Sequence, residues 1–159
     1  MAKTKGFLKM HVGVDVSTKQ ILAVKITDEH SHDSKHLKYL PRESARYGTI
    51  TKLLGDGAYD SRQIFSCVDR MGAVPAIVVR KNSIPNARGC HARKIAVVSQ
   101  KADYCKWAAS VSYGKRWIVE SVFSSIKRMF EEEVRSKKRR NMIQELMLKI
   151  SLYNWFVTA

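Results

Sequence analysis

Apolar and polar residues alternate at the start of the chain. Leu8, Met10, Val12, Val14 and Val16 fall on one side, and Lys9, His11, Gly13 and Asp15 on the other. That period of two predicts a strand over 7–16. Residues 20–27, QILAVKIT, form a second β-rich run, and the VSTK linker before it is short enough for an antiparallel hairpin. Asp33-Ser34 predicts the N-cap of a short helix through Leu40, stopped by Pro41. TITKLLG, residues 49–55, predicts a third strand. Asp60 or Ser61 then caps a helix through about Met71, which Gly72 closes. AVPAIVVR, residues 73–80, predicts a fourth strand, with Pro75 near its start, where proline is tolerated.

Residues 81–112 carry Asn82, Pro85, Asn86, Gly89 and many cations, and read as an exposed basic connection. Helical periodicity returns from about Ser112. Val119, Phe123, Ile126 and Phe130 fall within roughly 60° of one another at 100° per residue. This predicts an apolar stripe that packs the helix. A final amphipathic helix is expected from about Met142 to Phe156, using Ile143, Leu146, Met147, Ile150 and Tyr153. Between the two helices lies a cationic block of Arg135, Lys137, Lys138, Arg139 and Arg140. No internal repeat and no low-complexity segment interrupts the order. Strands first and helices last, with helices between strands, make a mixed α/β chain.

Composition narrows the class. The 159 residues suffice for one domain with a core, and 45% are hydrophobic, so the chain is globular. The 29 Lys+Arg against 14 Asp+Glu give a net charge of +15, which points to a polyanion, most simply nucleic acid. A basic ribosome-associated or RNA-binding protein would share that charge. Cys67, Cys90 and Cys105 are odd in number and include no C-x2-C pair, which argues for a reducing compartment. Cys90-His91 with Cys105 fits no zinc spacing well. His30, His32 and His36 are read as a polar loop and helix start more readily than as a metal cluster. The N-terminus has no secretory h-region, and no apolar run approaches the ~20 residues of a membrane span. The expected location is cytoplasmic, in association with the nucleoid.

The chemistry concentrates in SYGKRWIVESVFSSIKRMF. Tyr113, Arg116, Glu120 and Lys127 share a helical face about 60° wide at 100° per residue. The apolar stripe lies beside that face, so Glu120 is expected at the rim of the core, facing a cleft. One acid among cations suits a group that holds a metal beside a phosphate. Asp15, at the end of the first strand, and Asp56, at the end of the third, can complete such a site. Phosphodiester cleavage and strand transfer are served by two divalent ions about 3.5–4 Å apart, held by carboxylate oxygens. Asp15 would bridge the ions, Asp56 would hold one and Glu120 the other. Arg116 and Lys127 would contact phosphates, and Tyr113 would hydrogen-bond or stack near a DNA end. Each piece also has an ordinary structural reading. Asp15 can cap a turn with Ser17 and Thr18, Asp56 can be a turn aspartate before Gly57, and Arg116–Glu120 can be an i,i+4 ion pair. Asp60 is the rival to Asp56, but its place before SRQIF suits a helix cap.

These blocks resemble the DDE transposases of prokaryotic insertion sequences, of the insertion sequence 4 and 5 type. HVGVDVSTKQILAVKIT is similar to the family's first-aspartate strand pair and LLGDGAYDS to its second-aspartate block. YGKRWIVESVFSSIKRMF matches its Y-x2-R-x3-E-x6-K signature at all four positions, and VVRKN and the late LYNW add to the likeness. The resemblance runs from about Lys9 to Trp155. It implies a single RNase H-like catalytic domain over residues 1–159, with a mixed five-stranded sheet flanked by helices. The fifth strand is expected near residues 28–32 or in a connection. It also implies Mg2+ or Mn2+ in a two-metal site, with Asp15, Asp56 and Glu120 catalytic and Tyr113, Arg116 and Lys127 at the DNA. Cleavage at element ends and strand transfer into target DNA would follow, in a homo-oligomer or with a full-length transposase. The first-aspartate strand begins almost at Met1, so the family's N-terminal DNA-binding region is expected to be missing. A non-catalytic DNA-binding or regulatory remnant is the alternative.

Overall fold

A computed structural model of the protein describes residues 8–28, 38–85 and 89–159. The expected cap at Asp33-Ser34 and the histidines His30, His32 and His36 lie outside the described residues, as does most of the 28–32 segment.

Strand β1 (Leu8–Val14) pairs antiparallel with β2 (Ile21–Asp28), with Val12 opposite Val24 and Met10 opposite Ile26. The hairpin turns at Asp15, whose amide donates to the Gln20 carbonyl at 2.9 Å and whose carbonyl accepts from Lys19 at 2.8 Å. The ladder shifts register at Gly13/Val14. A side chain at Gly13 would place its Cβ 2.6 Å from Ser44 Oγ, so the close approach of helix α1 (Tyr39–Ser44) selects glycine there.

Pro41 does not stop a helix, as its sequence position suggests. It sits inside the first turn of α1, where backbone N–H groups have no intrahelical acceptor and a missing one costs nothing. Its carbonyl accepts from Ala45 at 3.0 Å.

The second ladder is a β–α–β unit. Strand β3 (Lys52–Gly55) leads through α2 (Arg62–Arg70) to β4 (Val74–Ile77), and the two strands pair in parallel, Lys52 opposite Val74. Ser61 is the N-cap of α2, accepting from the Ile64 amide at 3.3 Å. Gly72, at φ +70°, closes the helix as expected. Ile64, Phe65 and Val68 of α2 bury against Ile77 and Ala73.

The segment expected as an exposed basic connection instead carries two helices, α3 (His91–Ala102) and α4 (Tyr104–Ser110). The inner face of α3 is Ala96, Val97 and Gln100. Gln100 donates to the Ile77 carbonyl at 2.8 Å and accepts from the Val79 amide at 3.0 Å. A polar residue on the buried face and exposed Lys94 and Lys101 outside hide the helical period. Asp103 ends α3 and starts α4, accepting from the Lys106 amide at 2.9 Å. Trp107 of α4 is buried between Tyr104 and Tyr113, at ring separations of 5.5 and 5.3 Å.

A 3-10 turn over Tyr113–Arg116 precedes α5 (Trp117–Phe130), and α6 runs over Arg139–Thr158, starting inside the cationic block and ending past the expected Phe156. The buried stripe of α5 is Ile118, Val122 and Ile126, with Phe130 packed beside it. Of the expected stripe, only Ile126 belongs to it, with Phe130 beside it. Val119 and Phe123 lie at its margin, half-buried. With Ile21, Ile150 and Tyr153 these residues form a second core, separate from the first. Helix α6 is fixed to the first ladder by Asn154. Its Oδ1 accepts from the Ile21 amide at 2.9 Å and its Nδ2 donates to the Ile21 carbonyl at 2.8 Å. These groups face away from β1, because the neighbouring Gln20 carbonyl is bonded to Asp15 and successive residues of an antiparallel strand face opposite edges.

The architecture is thus mixed α/β. Among the described residues there are four strands, in two ladders that are not hydrogen-bonded to each other, and not one five-stranded sheet. No helix among the described residues is long and apolar enough to cross a membrane.

Candidate active site

Asp15 follows β1 directly. Its Oδ1 accepts from the Ser17 amide at 3.0 Å and its Oδ2 from the Thr18 hydroxyl at 2.8 Å. The Ser17 amide is the main reason its pKa lies below the ordinary carboxylate value. Partial burial opposes that shift and Thr18 reinforces it. Asp56 follows β3 and caps a 3-10 turn over Gly57–Tyr59, accepting from the Ala58 amide at 3.0 Å through Oδ1. It is exposed.

Glu120 lies in the first turn of α5 and pairs with Arg116 at 2.8 Å. Its side chain is 64% exposed. It stands two residues from Val122, roughly 160° away around the helix, so it faces away from the core and does not sit at its rim. The 3-10 turn explains a second correction. Tyr113 and Arg116 precede α5, so a uniform step of 100° per residue does not hold across all four signature positions. Lys127 lies two turns further along and pairs with Glu132 at 2.7 Å.

Most of the signature still gathers beside the second-aspartate block. Lys52 of β3 donates to the Val111 carbonyl at 2.8 Å, tying that strand to the turn before Tyr113. The Tyr113 phenol is pushed above its ordinary pKa chiefly by burial, against the Arg116 cation and with smaller pushes from Tyr104 and Asp56. Asp56 and Arg116 thus both act on Tyr113, and Glu120 is tied to the group through Arg116. Asp15 belongs to the other ladder. Among the described residues no three His, Cys, Asp or Glu side chains form a group able to hold a metal ion. The three acids in this arrangement do not fit a shared metal pair. The physical reason lies in the ladders: acids at the ends of adjacent paired strands stand about 4.8 Å apart, and β1 and β3 are not paired.

Asp60 is the residue whose role the sequence conceals. It is not the helix cap; Ser61 is. Its side chain has no exposed surface and forms an ion pair with Arg93 of α3. Oδ1 accepts from Arg93 Nε at 2.7 Å. Oδ2 accepts from Arg93 Nη2 at 3.0 Å, the Arg80 amide at 2.9 Å and the Ser83 hydroxyl at 2.9 Å. Burial pushes the carboxyl up, but these hydrogen bonds and the Arg93 charge outweigh it, so its pKa is lowered. Both oxygens are taken, which leaves Asp60 poorly suited to bind a metal. The nearest sequence signal is the second acid in GDGAYD, but nothing local links it to Arg93, 33 residues away.

A family model described as a transposase DDE domain matches residues 2–155. No curated protein and no solved structure gives a significant match.

Proposed function

The chain belongs to the transposase DDE domain family, and on that premise we propose that it carries out the DNA cleavage and strand transfer of an insertion sequence of the 4 and 5 type. The match over residues 2–155 carries this reading, because it spans both aspartate blocks and the whole helical signature. The +15 charge supports a DNA substrate. Members of the family use divalent metal ions, Mg2+ or Mn2+, and in this reading Asp15, Asp56 and Glu120 would be the ligands once brought together. Tyr113, Arg116 and Lys127 are assigned to the DNA.

The five-stranded RNase H-like sheet belongs to the same proposal. β1 pairs only with β2 and β3 only with β4 among the described residues, so each retains one unpaired edge. Joining those edges would set Asp15 beside Asp56, since neighbouring strands lie about 4.8 Å apart. The separate ladders do not provide that arrangement. The side chains themselves support a simpler role. Arg116 holds Glu120 by one guanidinium nitrogen at an exposed site. A phosphate can compete for that cation and release the carboxylate beside it.

The test is nicking of supercoiled plasmid by the full chain with Mn2+. Wild type is expected to nick, and Asp15→Asn and Asp56→Asn are expected to lose nicking while keeping their fold. Undiminished nicking by either variant would remove that residue from the catalytic set.

A further inference from the structure

A cavity of about 360 Å3 opens where β4 ends, lined by Asp60, Arg62, Arg80, Asn82, Ser83 and Arg93 among others. Three arginines and one carboxylate line it, and that carboxylate is already saturated. Asp60 and Ser83 are buried and locked to Arg93, whose Nη2 also donates to Ser83 Oγ at 2.8 Å. This network forms a rigid floor. Arg93 Nη1 has no partner among the described residues. Arg62, exposed in the first turn of α2, makes no ion pair among the described residues. Arg80 is exposed too, and its guanidinium is held only by Nε on the Gly57 carbonyl at 3.4 Å. The site thus keeps an excess of about two positive charges and several N–H donors that no protein acceptor uses.

We infer that this cavity binds a backbone phosphate of a DNA strand, with Arg62 and Arg80 reaching it from the rim and Arg93 from the floor. Guanidinium groups match phosphate oxygens in charge and geometry. Asn82 adds an uncharged donor at the same mouth. The contact from Arg80 to Gly57 places the site one residue from Asp56, so a strand held here runs past the second-aspartate block. That the phosphate belongs to DNA rests on the function proposed above; the anion site itself does not.

The experiment measures DNA affinity of the full chain against salt concentration, in EDTA, so that loss of cleavage has no bearing on it. Arg62→Gln and Arg80→Gln keep the Asp60–Arg93 floor, and Arg70→Gln at the far end of α2 is the charge-matched control. Each cavity variant is expected to weaken binding about tenfold, equally for unrelated sequences, and to lower the salt slope by about 0.9. Losses no larger than that of Arg70→Gln would overturn the inference. Inorganic phosphate that shifts the Asn82 and Ser83 amide resonances, with DNA affinity unchanged in both variants, would overturn it as well, since the site would then serve free phosphate.

Discussion

Arg93 closes on Asp60 through two parallel bonds, Nε to Oδ1 at 2.7 Å and Nη2 to Oδ2 at 3.0 Å, with the carboxylate wholly shielded from solvent. This pair joins α3 to the segment between β3 and α2. Among the ion pairs of the described residues it has the most shielded carboxylate, so deleting its partner is expected to be costly. Arg93→Ala leaves a buried carboxylate uncompensated and is expected to cost about 3–5 kcal/mol in urea denaturation. Arg93→Lys restores charge without the bidentate geometry and should recover only part of that loss. Full stability in Arg93→Ala would contradict the role assigned to the pair.

Two amide side chains seal the outer edges of the two ladders. Asn154 covers Ile21 on β2, and Gln100 covers Ile77 and Val79 at β4. Replacing either by alanine strips one backbone donor and one acceptor of their partners. Each variant is expected to lose about 1–3 kcal/mol. Hydrogen exchange should quicken at Ile21 in Asn154→Ala and at Val79 in Gln100→Ala, each without effect on the other.

The sequence disclosed the fold unevenly, for physical reasons. The β1–β2 hairpin and α2 were legible because alternation and capping are local signals, and β3 and β4 came out as strands for the same reason. Whether those strands join into one sheet depends on pairing between distant segments, which periodicity does not encode. Helices α3 and α4 were hidden because Gln100 occupies a core position and cations crowd the outer face. The stripe on α5 lies about 70° from the place its sequence predicts, since Phe123 is as apolar as Val122 but less buried. In the site, the residue types and spacing were visible in the chain. The ordinary roles are visible in the structure: Asp15 holds the Ser17–Thr18 turn, Asp56 caps Gly57–Tyr59, and Glu120 pairs with Arg116. The Asp60–Arg93 pair had no sequence signal, because an ion pair across 33 residues leaves no period.

Glu145 supplies an acid-sensitive clamp. Its carboxylate accepts from the Arg135 and Ser136 amides, both at 3.0 Å, and its pKa falls from 4.5 to about 2, chiefly through the Arg135 amide. A depressed folded-state pKa means that the contribution is complete above about pH 4.5 and disappears as pH falls towards 2. Amide exchange at Arg135 and Ser136 should therefore accelerate across that window beyond its intrinsic pH dependence. Glu145→Gln should remove the window, and an unchanged profile in that variant would exclude the clamp.

The Arg116–Glu120 pair is exposed, so its value to folding is small. Arg116→Ala is expected to change stability by no more than about 0.5 kcal/mol. If Arg116 serves DNA, the same variant should lose most of the nicking activity at unchanged melting temperature. A large loss of stability with activity retained per folded molecule would assign Arg116 to structure instead.

The most direct measurement is strand transfer of a supplied pre-cut DNA end into a target plasmid by the full chain with Mn2+, comparing wild type with Glu120→Gln. Joined product is expected from wild type with Mn2+, none in EDTA, and none from Glu120→Gln despite equal DNA binding. Equal product from the two proteins, or none from wild type that binds the DNA, would contradict this expectation.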